Sequence, residues 1–231
     1  MRPDSGPRLA VFDVDGTLVD SREVIHGAAL AAFEVMDLAP PSYDMVRHIV
    51  GLNLDVGLAM IAPDLSPASL VELESHYKAA FHDFHRQPGF TEPLYEGAAE
   101  TLEHLREAGW RLSMATGKSR RGVEMVMAMH GWQDLFETTH CADDGPGKPH
   151  PAMILAAMKA QGIGPEHTVM IGDTSHDMIM AKGAGVRAQG VSWGFHTVDE
   201  VAAHADHVAQ DFSDLKTQLL GLAAPIDLVN P

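Results

Sequence analysis

The sequence predicts an α/β protein: a Rossmann-like, doubly wound parallel sheet with an all-helical unit inserted after the first strand. From about residue 92 onward, helical segments that stop at a glycine alternate with short apolar strands, as in parallel sheets with right-handed crossovers. Between about residues 21 and 91 only helical patterns occur. The predicted division is therefore a core of residues 1–20 and 92–231 and a helical domain of residues 21–91.

Each element follows from a local pattern. The first strand is a short apolar run, residues 9–13, that ends in an acid. Helices are predicted in 22–36, 42–49 and 54–61, and a long amphipathic helix begins at Pro67 after the N-cap Ser66. The alternating part predicts helices in 97–108, 119–129, 151–161 and 175–184, and strands in 111–115, 138–141, 168–171 and 186–191.

Composition excludes several classes of function. The 231 residues include 32 acidic and 16 basic ones, and the formal charge of −16 disfavours nucleic acids and anionic membranes as partners. The single cysteine, Cys141, excludes an internal disulfide framework and suits a reducing compartment. No run approaches the ~18 apolar residues that span a bilayer, and the N-terminus lacks a signal-peptide core. We therefore expect a soluble, cytoplasmic protein.

Residues that can carry chemistry gather where the predicted strands end, which is where such sheets bind ligands. Asp13 and Asp15 follow the first strand two residues apart, so their carboxylates leave the same side of an extended chain. Such a pair offers a nucleophile, a general acid or base, and oxygen ligands for Mg²⁺. Two solvated acids at a capped strand end are the alternative, and this motif alone does not decide between them.

Two further motifs supply a second acidic pair and a lysine. Asp173 and Asp177 lie one helical turn apart after a strand. This pair and the pair at the first strand would lie at one edge of the sheet, where they repel each other unless a cation bridges them. Lys148 precedes a helix between rigidifying prolines, where an ammonium would neutralise a bound phosphate. The alternatives are a helix N-cap at Asp173 and an exposed loop lysine.

Thr116 and Gly117 lie between a strand and a helix, where a hydroxyl and free backbone N–H groups can hold an anion. A plain N-cap is the alternative. The segment resembles the end of a P-loop, but Leu112 stands where that pattern needs glycine, which excludes an NTPase. Zinc is disfavoured too, because the fourteen histidines form no HExxH motif and have no cysteine partner.

Taken in chain order, the four motifs resemble those of the haloacid dehalogenase (HAD) superfamily, and most closely its phosphoglycolate phosphatase-like subgroup. They read Asp13-Val-Asp15-Gly-Thr17, Thr116-Gly117, Lys148-Pro-His-Pro and Gly172-Asp-Thr-Ser-His-Asp177. The helical insert resembles the family's C1-type cap. The resemblance implies Mg²⁺-dependent hydrolysis of a small phosphate monoester through an aspartyl-phosphate. It also implies a small phosphorylated metabolite as partner and a monomeric or homodimeric state.

The resemblance implies a role for each motif residue. Asp13 would attack phosphorus, and Asp15 would protonate the leaving group and then activate water. The phosphoryl oxygens would be held by Thr116, Gly117 and Lys148. Mg²⁺ would be bound by the Asp13 carboxylate, the Asp15 backbone carbonyl and Asp173, with Asp177 supporting the metal waters or orienting Lys148.

Two features leave alternatives open. Arg47 and the loop of residues 51–54 are candidate substrate contacts. The alternative is that Arg47 is a solvated surface arginine and the loop an ordinary break between helices. Dehalogenases of this superfamily lack an acid at the position of Asp15, so its presence favours phosphate monoester hydrolysis or phosphomutase chemistry. A mutase acting on a sugar phosphate therefore stays an alternative, as does a non-catalytic phospho-acceptor or binding protein, which Asp15 and Lys148 disfavour.

Overall fold

The protein, a computed structural model that describes residues 7–223, is built on one parallel sheet, which confirms the predicted fold class. The strand order is β3-β2-β1-β4-β5-β6. The strands are β1 (Arg8–Phe12), β2 (Trp110–Ala115), β3 (Thr138–His140), β4 (Thr168–Gly172), β5 (Arg187–Val191) and β6 (His207–Ala209). The winding direction reverses at β1, between β2 and β4, so the carboxyl ends of these strands form the crevice where doubly wound sheets bind ligands.

Alternating side chains of β1 enter the two apolar layers of the core. Ala10 and Phe12 pack into the layer formed with α5 (Ala98–Glu107), α6 (Arg120–His130) and α10 (Phe212–Ala223). Leu9 and Val11 pack into the opposite layer with α7 (Ala152–Gln161), α8 (Ser175–Ala184) and α9 (Val198–Ala202). A strand buried on both faces reads as a continuous apolar run, which explains why the sequence revealed β1.

The insert after β1 holds α1 (Arg22–Val35), α2 (Tyr43–Ile49), α3 (Leu54–Ile61) and α4 (Pro67–His85). The Ser66 hydroxyl accepts a hydrogen bond from the Ser69 amide and caps α4, as the sequence predicts. The insert has its own apolar clusters, in which Phe33, Leu58 and Leu73 are buried. We call residues 22–85 the helical insert; its standing as a separate domain, residues 21–91, stays a prediction.

The carboxyl-terminal part contains elements that the sequence analysis did not predict. After β5 the chain forms α9, β6 and α10. β6 completes the edge of the sheet, and α10 and α9 pack on its opposite faces. β6 has three residues and α9 has five, too few for a hydrophobic period to be read. None of the helices in residues 7–223 is long and apolar enough to cross a membrane.

Candidate active site

Asp13 is the first residue after β1, and the sheet extends to it because its backbone N–H donates to the Ile171 carbonyl at 2.9 Å. The side chain is buried at the carboxyl edge of the sheet. The Asp13 Oδ1 lies 2.7 Å from the Lys148 Nζ, while Oδ2 is buried with no hydrogen-bond partner among residues 7–223. One oxygen is thus neutralised by an ammonium, and the other is available for a ligand.

Lys148 joins the two acidic motifs. Its Nζ also lies 2.6 Å from the Asp177 Oδ1, and all three side chains are buried. Burial alone lowers the pKa of Lys148, but Asp13 and Asp177 outweigh it, so its net pKa is raised and it stays charged. The structure therefore brings the predicted lysine into the site instead of leaving it exposed on a loop.

Asp173 occupies the neighbouring strand end, after β4. Its Oδ1 accepts from the Thr17 hydroxyl and its Oδ2 from the Phe195 N–H, both at 2.8 Å. The N-cap of α8 is Thr174, whose hydroxyl accepts from the Asp177 N–H. Because Thr174 caps the helix, the carboxylate of Asp173 is free to face Asp13, and the alternative of a simple cap at Asp173 is wrong.

The loop between Asp13 and Thr17 is shaped by a close approach. Gly16 has a φ of +78°, and a Cβ there would lie 2.2 Å from the Asp173 Oδ2. Glycine is required at this position for two reasons: it adopts the left-handed backbone conformation, and it has no Cβ to collide with Asp173. The Asp-x-Asp-Gly-Thr order of the first motif therefore serves the packing of one acidic strand end against the other.

Crowding makes the cluster electrostatically costly. Burial, with the charge of Asp177, raises the pKa of Asp13 to about 7 even though Lys148 opposes the shift. Burial and the charges of Asp13 and Asp177 raise the pKa of Asp173 well above its usual range. One oxygen each of Asp13, Asp173 and Asp177 lie within 4.8 Å of one another, so this triad could hold a metal ion. The unpartnered Asp13 Oδ2 and the all-oxygen donor set fit a hard divalent cation.

Asp15 lies outside the triad and has its own partner, Lys118. The Asp15 Oδ1 is 2.8 Å from the Lys118 Nζ, which also lies 3.9 Å from the Glu92 Oε2 and over the Phe81 ring. Burial lowers the pKa of Lys118, but Asp15 and Glu92 outweigh it and raise the net pKa. The sequence analysis missed this pairing, because Glu92 is remote along the chain and the only signal in Lys118 is its place two residues after Thr116.

Thr116 and Gly117 lie at the end of β2, facing the helical insert. Thr116 is fully buried, and its hydroxyl accepts from the Lys118 N–H at 3.2 Å. A Cβ at Gly117 would lie 2.7 Å from the Gly51 carbonyl oxygen and 2.9 Å from that of Leu52. The insert loop of residues 51–54 thus closes directly onto the core at a position that only glycine permits.

Arg47 is placed elsewhere. Its guanidinium donates to Glu200 at 2.8 Å and to Asp44 at 2.7 Å, so it links α2 of the insert to α9 of the core. It is not among the residues that line the cavity beside Asp13. The structure does not bring Arg47 to the other site residues, because a carboxylate more than 150 positions away in the sequence binds it. Its contact with substrate stays a prediction.

A cavity of about 320 Å³ lies between the strand ends and the helical insert. Asp13, Asp15, Gly117 and Lys118 line its core side, and residues of α1 to α4 line the other. Asp13 and Asp15 therefore face one partly open space, in which a bound ester would lie within reach of both carboxylates. Water can be excluded from such a space, and exclusion strengthens the electrostatic interactions inside it.

Comparison with known proteins agrees with this geometry. Residues 10–191 match the family of haloacid dehalogenase-like hydrolases. This chain belongs to that family. The probable phosphatase IndB of Dickeya dadantii (strain 3937) is 35% identical to this hydrolase over 214 residues, which cover 90% of this chain and 91% of that protein. A phosphoglycolate phosphatase of Vibrio vulnificus (strain CMCP6) is 33% identical over 218 residues, covering 90% and 94% of the two chains.

Solved structures show that the fold of this hydrolase is shared. A haloacid dehalogenase-like hydrolase from Bacteroides fragilis superposes with a TM-score of 0.83 at 24% identity, covering 91% of this chain and 100% of that one. Together with the sequence relatives, this confirms the expectation of an enzyme, a phosphatase of the HAD superfamily.

Replacing Asp13 by Asn should change how the stability of the metal-free hydrolase depends on pH. The folded pKa of Asp13, about 7, exceeds its ordinary value of 3.8, so the wild type loses stability as pH rises from about 4 to 7. At about 1.4 kcal/mol per pKa unit the loss amounts to at most roughly 4 kcal/mol. The measurement is urea unfolding in EDTA at several pH values. The free energy of unfolding of the Asp13→Asn variant should rise relative to that of the wild type up to about pH 7, and the difference should then stay constant.

The exposed Asp64 provides the control for this measurement. Asp64→Asn should follow the wild-type pH profile. If the difference in the free energy of unfolding between Asp13→Asn and wild type does not change between pH 4 and 7, burial does not raise the pKa of the Asp13 carboxyl group.

The Gly117→Ala variant tests the closure of the insert onto the core. The added Cβ would collide with the backbone of Gly51 and Leu52, so the loop must move away and widen the site. Small misplacements at a reacting centre can cost up to ~10²-fold, and we expect kcat/KM to fall by about tenfold or more with the fold intact. Gly221→Ala is the control, since a Cβ there meets nothing within 4 Å. Unchanged kinetics in Gly117→Ala would mean that this contact does not shape the site.

Proposed function

We propose that this protein is a Mg²⁺-dependent phosphatase that hydrolyses a small-molecule phosphate monoester through an aspartyl-phosphate on Asp13. The observation that carries the proposal is the environment of the Asp13 carboxylate. It is buried, one oxygen is bound by Lys148, and the other has no partner among the described residues. Asp13 also belongs to the triad with Asp173 and Asp177 that could hold a metal ion. A carboxylate is otherwise a poor nucleophile toward an anionic phosphate, and this setting removes the repulsion.

In the first step an Asp13 carboxylate oxygen forms a bond to phosphorus, and the bond from phosphorus to the ester oxygen breaks. The departing alcohol oxygen takes a proton from Asp15. In the second step Asp15 takes a proton from water, the water oxygen attacks phosphorus, and the bond to Asp13 breaks. Inorganic phosphate leaves, and both carboxyl groups return to their starting protonation states.

The surrounding residues support these steps by position. Lys148, held between Asp13 and Asp177, neutralises charge on the transferring phosphoryl group. Gly117, at the end of β2, lines the same cavity as Asp13, and the buried Thr116 precedes it in the chain. The Lys118 Nζ, 2.8 Å from the Asp15 Oδ1, orients the Asp15 carboxyl group. Asp13, Asp173 and Asp177, with the backbone carbonyl of Asp15, would hold the Mg²⁺, which when bound supplies positive charge to the phosphoryl oxygens.

Phosphoglycolate is the first substrate to try, because the Vibrio vulnificus relative is named for it. The cytoplasmic location that the sequence indicates stays a prediction, as does the monomeric or homodimeric state. No specific observation in residues 7–223 favours a mutase over a phosphatase, so the decisive assay must measure both free phosphate and isomerised ester.

Substitutions of the two carboxylates should separate their roles. Asp13→Asn removes the nucleophile, and we expect phosphate release to fall by at least about 10³-fold. Asp15→Asn removes a proton donor and acceptor whose contribution is typically about 10²–10⁴-fold, so both steps should slow. Phosphate release from a panel of monoesters with Mg²⁺, and again with EDTA, is the measurement, with Asp64→Asn as the control that keeps wild-type rates.

Four outcomes would contradict the proposal. Substantial turnover by Asp13→Asn would exclude the covalent mechanism. Full activity in EDTA would exclude the metal. Conversion of a sugar 1-phosphate to its isomer without free phosphate would identify a mutase, and inactivity on every ester would favour a phospho-acceptor or binding protein.

A further inference from the structure

The cavity beside Asp13 has room for more than a phosphoryl group. Its volume is about 320 Å³. An apolar protein cavity of roughly 150 Å³ is enough to bind benzene. The space can therefore hold a phosphoryl group at the strand ends and, beyond it, an organic group about the size of an aromatic ring.

The wall that faces this organic group is mostly apolar, although the insert also adds polar side chains to it: Asn53, Asp55, Glu74, Tyr77, Lys78 and His82. Aliphatic and aromatic side chains from all four helices of the insert line it, among them Ile25, Val46, Ile49, Leu54, Leu58 and Phe81. These aliphatic and aromatic side chains stabilise apolar atoms that leave water, and they themselves offer no partner to a charged group. The half of the cavity that would surround the alcohol part of an ester thus favours a group of low polarity.

The lysines that line the cavity are already neutralised. Lys118 lies between two carboxylates, at 2.8 Å from Asp15 and 3.9 Å from Glu92, so two acidic groups face its one positive charge. If Asp15 carries a proton, Glu92 still balances it. Lys78 forms an ion pair with Glu74 at 2.5 Å on the same face of α4. Neither ammonium is in excess for a second anionic group on a substrate.

The remaining titratable groups around the cavity do not add positive charge. Burial, helped by Arg121 and His85, lowers the pKa of His82, so this imidazole is neutral at pH 7. Asp55 and Asp143 line the cavity with exposed side chains. Beyond the phosphoryl end, the described residues lining the cavity thus carry no surplus cation, and a carboxylate or second phosphoryl group would meet acids and apolar surface.

We propose that this site prefers phosphate monoesters whose alcohol part is uncharged and largely apolar, up to about the size of an aromatic ring, over esters that carry a second anion. The inference rests on the proposed phosphatase function and narrows its substrate class. It places phosphoglycolate, whose alcohol part is glycolate and carries a carboxylate, among the poor substrates of this chain.

Three esters test the preference. 2-Oxopropyl phosphate has the shape of phosphoglycolate with a methyl group in place of the charged oxygen, so this pair isolates the charge. Benzyl phosphate adds apolar area and keeps an ordinary alkoxide leaving group. With Mg²⁺ at pH 7.5, we expect kcat/KM for 2-oxopropyl phosphate to exceed that for phosphoglycolate by about tenfold or more, and benzyl phosphate to be at least as good as 2-oxopropyl phosphate.

A cation placed in the apolar wall should weaken the preference. Leu54 is half-buried at the start of α3 and lines the cavity, so a lysine there can extend along the wall. The test compares kcat/KM for 2-oxopropyl phosphate with kcat/KM for phosphoglycolate. In Leu54→Lys the ratio of the first to the second should fall several-fold. Leu54→Met, which is similar in size and uncharged, is the control and should keep the wild-type ratio. Thermal unfolding of both variants checks that they fold.

The outcomes separate this inference from the function on which it rests. If phosphoglycolate is hydrolysed as well as 2-oxopropyl phosphate or better, the phosphatase function stands and the substrate preference is overturned. If the Leu54→Lys ratio equals that of Leu54→Met in folded proteins, wall charge does not set specificity, and the inference also fails. If none of the three esters is hydrolysed but another ester of the panel is, the phosphatase function stands and the substrate preference is overturned. If no ester of the panel is hydrolysed, the proposed function itself fails, and this inference falls with it.

Discussion

The mutual repulsion of three buried carboxylates is the constraint around which this molecule is organised. Asp13, Asp173 and Asp177 place oxygens within 4.8 Å of one another, and Lys148 supplies a single positive charge to the group. A like-charge pair about 4 Å apart costs about 4 kcal/mol at an effective dielectric constant of about 20. A divalent cation removes this cost and brings the summed charge of the three carboxylates, Lys148 and the ion to zero, so an incoming phosphate no longer meets a negative cluster. The repulsion within the metal-free cluster and the affinity for substrate therefore have one cause.

The same constraint explains local features that otherwise look arbitrary. Gly16 leaves room for the Asp173 carboxylate, and Thr174 takes over the capping of α8 so that Asp173 can face the site. On the same core side of the cavity, Lys118 lies between Asp15 and Glu92, which holds the proposed proton carrier in place without adding net positive charge. The chain therefore separates a phosphoryl end, rich in charge, from a leaving-group end that is apolar and closed by the helical insert.

Sequence reasoning was strongest where residues act through short-range patterns. The apolar runs of β1 and β4, each followed by an acid, predicted both the sheet and the positions of Asp13 and Asp173, because parallel strands must bring their carboxyl ends to one edge. It was weakest where partners are distant. Arg47 binds Glu200 and Lys118 binds Glu92 through tertiary packing, which no periodicity encodes, and β6 is too short for its pattern to be read.

Calorimetric titration with Mg²⁺ tests the central claim most directly, in two buffers of different ionisation enthalpy at pH 7. The account predicts that a single ion binds to the wild-type chain and displaces protons, because burial and crowding raise the pKa of Asp13 to about 7 and that of Asp173 well above its usual range. In Asp173→Asn the affinity should fall by about tenfold or more. Equal affinity in wild type and Asp173→Asn, or no binding at millimolar Mg²⁺, would contradict the account.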